Sequence, residues 1–221
     1  MLKVCGIMCM EDINRCMECQ VDIIGFVVEY PVPVPWNLSR EEAGEIIHAV
    51  KSPCQSCIVT GGEPAKIISL VKELKPSFVQ LHYKETLADT REILDKLEPY
   101  GTNVIKTIPI EEEERFYQFG TADLAECTKM LSELDIAAIL VDARQPSNAA
   151  GESKLIDMDF YKCVKKASAK PVMLAGGITP DNIGDIICQT GAAYFDIMSG
   201  VEQYPGKKDR QKLVELCKKI T

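Results

Sequence analysis

No apolar stretch approaches the roughly 18 residues that a membrane-spanning helix needs, and no Ser/Gly linker or break in composition divides the 221 residues. Basic residues never run longer than the pairs Lys165-Lys166, Lys207-Lys208 and Lys218-Lys219. With a net charge of −8 and a pI near 5.0, the chain lacks the electrostatic footprint of a nucleic-acid partner. The first residues, Leu2-Lys3-Val4-Cys5, already read as a strand and leave no room for a signal peptide. A cytoplasmic protein of one domain, residues 1–221, is therefore expected. What the chain does hold is 46% apolar residues, enough for a sizeable core, beside an ordinary 26% charged.

It also holds ten cysteines. Without an export signal they read as reduced thiols and not as a disulfide framework. Two C-x-x-C pairs, Cys16/Cys19 and Cys54/Cys57, have the spacing of zinc or iron–sulfur ligands. The first pair falls in a helical pattern and the second at an extended run, neither with a glycine-rich knuckle. Small buried hydrophobes describe these cysteines better than metal ligands do, so no metal is expected.

The stretch that organises the chain is Val172-Met173-Leu174-Ala175-Gly176-Gly177-Ile178-Thr179-Pro180-Asp181-Asn182. Its uncharged apolar run suits a strand buried on both faces. Two glycines then allow a tight turn. Thr179 is placed to cap a helix with Pro180 at its first position. Strand, glycine turn and helix N-terminus together form an anion site, most often for phosphate. A second such unit, Tyr194-Phe195-Asp196-Ile197-Met198-Ser199-Gly200-Val201-Glu202, follows. Two adjacent units near the C-terminus suggest a phosphate-binding (β/α)₈ barrel, with Gly176, Gly177, Ser199 and Gly200 as anchors.

The rest of the chain agrees. Apolar runs at Leu2–Cys5, Val21–Val28, Cys57–Thr60, Phe78–His82, Asn103–Ile108 and Ala137–Asp142 alternate with helical patterns. Among the latter, Ser39 and Glu42 form a capping box that opens a helix to Val50, and Pro64–Leu74 and Glu85–Leu97 are helical. A region from Glu111 to Leu134 is interrupted at Gly120 and Thr121, a helix begins at Asp157 or Asp159, and Asp209–Ile220 closes the chain. Pro31, Pro33 and Pro35 force an extended loop before Trp36. Residues 143–154 read as a polar loop long enough to fold over a ligand. Eight β/α units in one unbroken chain point to an α/β protein, a (β/α)₈ TIM barrel.

Active sites of such barrels lie at the C-terminal ends of the strands. Cys5, His82, Asp142 and Asp196 sit there. A thiol and a carboxylate facing each other across the mouth suit a base and an acid, the thiol best where positive potential lowers its pKa.

These residues carry a resemblance. Lys3-Val4-Cys5-Gly6-Ile7, Gly25-Phe26-Val27, Val79-Gln80-Leu81-His82, Leu174-Ala175-Gly176-Gly177, and Phe195-Asp196 through Ser199-Gly200-Val201-Glu202 with Gly206 and Lys208-Asp209 resemble the phosphoribosylanthranilate isomerase family over essentially the whole chain. The resemblance implies a cofactor-free Amadori rearrangement in tryptophan biosynthesis, with a phosphorylated sugar-amine as the small-molecule partner. Asp142 would protonate the ribose ring oxygen, and Cys5 would take the C2 proton. His82 and Asp196 would bind substrate. The family's arginine for the anthranilate carboxylate is replaced by Trp36, a neutral indole unable to make that pair; Arg40, four residues on, is the candidate to reach round. The usual Gly-Gly-Thr-Gly after the sixth strand reads Asn148-Ala149-Ala150-Gly151, and Tyr83 stands for the glycine after the histidine. An isomerase of the same mechanism acting on another phosphoribosyl amine, and a non-catalytic phospho-sugar-binding paralogue, stay open. So does the choice between monomer and homodimer.

Overall fold

The computed structural model describes residues 1–143 and 157–220. One parallel sheet comprises β1 (Leu2–Val4), β2 (Ile23–Val28), β3 (Asn37–Leu38), β4 (Gln55–Thr60), β5 (Phe78–Leu81), β6 (Asn103–Thr107), β7 (Ala138–Asp142), β8 (Val172–Ala175) and β9 (Phe195–Ile197). Eight of these close into a barrel, because β1 pairs with β9 on one side and with β2 on the other. The short β3 hangs only on the tip of β2, where Val27 and Val28 face Asn37 and Leu38. It was not legible behind three prolines.

Helices α1 (Met10–Glu18), α2 (Arg40–Ile47), α3 (Pro64–Leu74), α4 (Leu87–Leu97), α5 (Glu112–Phe119), α6 (Leu124–Ser132), α7 (Met158–Ala167), α8 (Ile183–Thr190) and α9 (Arg210–Ile220) complete the pattern of strand and helix. Local chemistry sets several of their starts. Ser39 and Glu42 exchange the two bonds of a capping box at α2, and Thr86 and Asp89 do the same at α4. Asp123 and Asp157 accept backbone N–H bonds at α6 and α7. Each such cap contributes about 1 kcal/mol.

Alternation along the strands sorts the side chains. Leu2 and Val4 join the layer between sheet and helices, together with Phe26, Val79, Val141 and Leu174. Ile23, Cys57, Phe78, Ile105, Leu140 and Met173 fill the barrel interior. Above them, Cys5, Val27, Tyr30, Trp36 and Val59 form a separate apolar group at the C-terminal mouth.

Two expectations change. Thr179 does not cap α8 directly, since that helix begins at Ile183, after Asn182. Instead Thr179 and Asn182 bond reciprocally: the Thr179 N–H donates to Asn182 Oδ1 at 2.8 Å, and the Asn182 N–H to Thr179 Oγ1 at 3.4 Å. The pair closes a turn that leads into the helix. At the other end, the segment before α9 contains an antiparallel hairpin, β10 (Glu202–Tyr204) and β11 (Lys207–Lys208), that simple β/α alternation does not foresee. The loop expected at residues 143–154 lies, beyond Ala143, outside the described residues.

Candidate active site

A cavity of about 690 Å³ opens at the C-terminal mouth of the barrel. Of the residues singled out from sequence, Cys5, Trp36, His82, Asp142 and Asp196 line it, as do Gly176, Gly177, Ser199 and Gly200. The nine come from almost every part of the chain, and closure of the sheet alone gathers them. Arg40 is the exception and a correction. Its Nε donates to Glu29 Oε1 at 2.9 Å and its Nη1 to Glu73 Oε2 at 2.8 Å. Anchored on α2 between two carboxylates, it does not line the cavity.

The glycine loops after β8 and β9 lie against each other. Gly176 and Gly177 adopt φ of +102° and +62°, values that side chains resist. The Asn182 side-chain amide donates to Gly177 O at 2.9 Å and holds that turn. Across from it, Ser199–Val201 forms a single 3₁₀ turn. A Cβ on Gly200 would fall 1.7 Å from the Ile178 carbonyl oxygen, so only glycine permits the two loops to meet.

His82 follows β5, with its N–H donating to Thr60 O at 3.1 Å. Burial pushes its imidazole down from 6.5 to about 4, so the ring is neutral at pH 7. The Gln80 amide donates to His82 Nδ1 at 3.1 Å, and Thr107 Oγ1 lies at the same distance. With Nδ1 accepting, the ring proton sits on Nε2, which faces Asp142 Oδ2 at 3.5 Å. The Tyr30 hydroxyl donates to His82 O at 2.7 Å and ties the proline-bearing loop to this wall.

Cys5 stands beside a buried ion pair. Lys3 Nζ lies 2.7 Å from Asp196 Oδ2, and neither side chain is exposed beyond 7%. Burial raises the Cys5 thiol above its usual range, and the Lys3 ammonium is the foremost influence pulling it back. Gln80 and Tyr30 also line the cavity, and with Lys3, which pairs with Asp196, they are functional positions beyond those expected from sequence. Period two on a strand could have found two of them. Lys3 is two before Cys5, and Gln80 two before His82, which puts each pair on one face.

Trp36 closes another side. Its indole Nε1 donates to Glu202 Oε1 at 3.0 Å, and Lys208 Nζ donates to the same oxygen at 2.8 Å. The ring packs with Val27, Tyr30 and Val59, and no Lys or Arg lines the cavity among the described residues. Neither C-x-x-C pair lines the cavity. Among the described residues no group of three or more His, Cys, Asp or Glu side chains is placed to hold a metal, and all ten cysteines are unbridged.

Comparison with known proteins agrees with this geometry. The family model described as N-(5'phosphoribosyl)anthranilate (PRA) isomerase matches residues 2–219. An N-(5'-phosphoribosyl)anthranilate isomerase from Methanocaldococcus jannaschii is 31% identical over 227 residues, covering 99% of this chain and 97% of that protein. The crystal structure of phosphoribosyl anthranilate isomerase from Thermotoga maritima superposes with a TM-score of 0.79 at 27% identity, covering 99% of this chain and 97% of the other. A further structure of the enzyme, in complex with reduced 1-(o-carboxyphenylamino)-1-deoxyribulose 5-phosphate, gives 0.76 at 25% identity, with 99% and 97% covered. A closed barrel, paired glycine loops at one edge of its mouth and a match along nearly the whole sequence lead to one conclusion: the chain belongs to the phosphoribosylanthranilate isomerase family.

Proposed function

We propose that this cavity performs the Amadori rearrangement of N-(5-phosphoribosyl)anthranilate, an aldose–ketose isomerisation in tryptophan biosynthesis. One observation carries the reading: Cys5 and Asp142 line the same cavity as the two glycine loops. The substrate phosphate sits against Gly176, Gly177, Ser199 and Gly200, where backbone N–H groups favour an anion. Asp142 gives its proton to the ribose ring oxygen as the C1–O bond breaks, and the amine lone pair forms the protonated Schiff base. His82, with Nε2–H toward Asp142, stabilises the carboxylate left behind. Cys5, as thiolate, then takes the C2 proton, and the C2–H electrons neutralise the iminium to give an enolamine. That enolamine gains a proton at C1 and loses its hydroxyl proton to become the ketose. Asp196 binds a ribose hydroxyl. No step needs a cofactor.

The test is the fluorescence decay of freshly made phosphoribosylanthranilate with purified protein. Turnover by the wild type, lost in both Cys5→Ser and Asp142→Asn, is expected; turnover retained by either variant overturns the assigned roles. A second reading, the same rearrangement on a phosphoribosyl amine without a ring carboxylate, is favoured by Trp36 and by the lack of a cationic lining among the described residues. Residues 1–221 act as one domain in either case. We place the protein in the cytoplasm, an assignment supported by ten unbridged cysteines.

A further inference from the structure

Beneath the cavity floor, the Lys3–Asp196 pair leaves one polar atom unused. Asp196 Oδ2 takes the Lys3 ammonium, while Oδ1 is buried and, among the described residues, has no hydrogen-bond partner. Asp196 is 93% buried, with only 7% of its surface exposed, yet it lines the cavity. A buried carboxylate oxygen left bare is costly unless a ligand satisfies it. On the other side, Lys3 and Cys5 both pack toward Gly25. A Cβ on Gly25 would lie 3.0 Å from Cys5 Sγ and 3.1 Å from Lys3 Cε, so the glycine on the neighbouring strand makes room for both side chains to sit together.

We propose that Lys3 is a positioning residue whose ammonium is shared between Asp196 and Cys5, so that a substrate hydroxyl donating to Asp196 Oδ1 releases positive charge toward the Cys5 sulfur and activates the base. The inference rests on Cys5 as the proton acceptor of the proposed reaction. Without substrate, the Asp196 carboxylate holds the ammonium and burial keeps the thiol protonated. A hydroxyl bonded to Oδ1 disperses the carboxylate charge, weakens its claim on Lys3, and favours the thiolate. The base is thus strongest when the sugar is in place, and a nucleophilic thiolate does not stand idle in the open cavity.

Charged and titratable groups among the described residues face the sulfur from several elements. Lys3 lies on its own strand, Asp196 on β9, Cys57 on β4 and Lys208 on β11. His82 and Asp142 face it across the cavity, and His82 is neutral at pH 7. Lys3 and Asp196 act on Cys5 in opposite senses, Lys3 favouring the thiolate and Asp196 opposing it.

That opposition supplies the test. The pH dependence of Cys5 alkylation by iodoacetamide, followed at the peptide level by mass spectrometry, separates Cys5 from the other nine cysteines. Lys3→Gln keeps a hydrogen-bond donor for Asp196 without charge, and should raise the alkylation midpoint by about one pH unit or more. Asp196→Asn keeps the shape, leaves the ammonium to Cys5 and should lower the midpoint. Opposite shifts in the free protein, together with a lower wild-type midpoint in the presence of ribose 5-phosphate, support the relay; opposite shifts with a midpoint that the sugar leaves unchanged show fixed charges only and overturn it. Should Lys3→Gln fail to fold, Asp196→Asn decides alone, and an unchanged or raised midpoint there overturns the proposal. A loss of turnover in Cys5→Ser without these shifts would keep Cys5 as base and remove Lys3 from its control. Opposite shifts together with full turnover in Cys5→Ser would instead fault the proposed role of Cys5.

Discussion

Trp36 is held at its nitrogen by Glu202 while its ring faces the cavity. An arginine at this position could pair with a substrate carboxylate, as a neutral indole cannot. The indole instead leaves discrimination to shape and apolar contact, which separates ligands weakly compared with a paired charge. The wild type should therefore turn over phosphoribosylaniline, which lacks the carboxylate, within about tenfold of phosphoribosylanthranilate in kcat/KM. A preference of a thousandfold or more would mean that a cation reads the carboxylate after all. His82 gives a prediction in pH. Its folded pKa lies near 4 against 6.5 when free, so between these values the unfolded chain binds a proton that the folded one does not. Stability contributed by the neutral ring is complete above pH 6.5 and is lost as pH falls toward 4, up to about 3 kcal/mol. Thermal unfolding of His82→Asn beside the wild type should show a shallower fall in Tm across that window; equal slopes would place the acid sensitivity elsewhere. Single residues at strand tips were legible because a polar group that ends an apolar run has few other places to point. The partners of Arg40 were not, because Glu29 and Glu73 lie on two other parts of the chain.

Elements were legible wherever their own sequence closes their ends. Pro64 at the start of α3 and the Ser39–Glu42 box at α2 are local devices, and both elements begin where sequence puts them. The hairpin β10–β11 was not, because what holds it is distant. Glu202 takes donors from Trp36, Lys208 and the Gly206 N–H, and Asp12 on α1 accepts from the Lys208 N–H at 3.0 Å. The glycine loops stand between these cases. Their composition announces a tight turn, but the contact between Gly200 and the Ile178 carbonyl belongs to the sheet. Gly200→Ala places a methyl group where no atom fits and must push the β9 loop away from the β8 loop. The expected result is a KM raised at least about tenfold with a smaller change in kcat, since phosphate anchoring is lost while Cys5 and Asp142 stay in place. Inhibition by inorganic phosphate should weaken in parallel. A KM within twofold of wild type would show that the phosphate rests elsewhere.

At the scale of the molecule, the site exists only where the first strand is seated between the second and the last. The Lys3–Asp196 pair spans the β1–β9 seam, in register with Leu2 opposite Phe195 and Val4 opposite Ile197. The N-terminal amino group donates to Ala193 O at 2.8 Å just below. Trp36 reaches the C-terminal hairpin through Glu202 on the far side of the same mouth. Opening the seam removes Cys5 from Asp142 and exposes the indole in one event, although outer helices can persist beyond it, because α3 packs on α4, and α6 on α7, independently of the seam. In urea, loss of turnover and the emission change of the single tryptophan should therefore coincide, while far-UV circular dichroism extends to equal or higher concentration. If Trp36 emission changed only after activity had gone, the mouth would open by loop movement with the barrel still closed. If circular dichroism fell first, the helices and not the seam would be the weakest part of the fold.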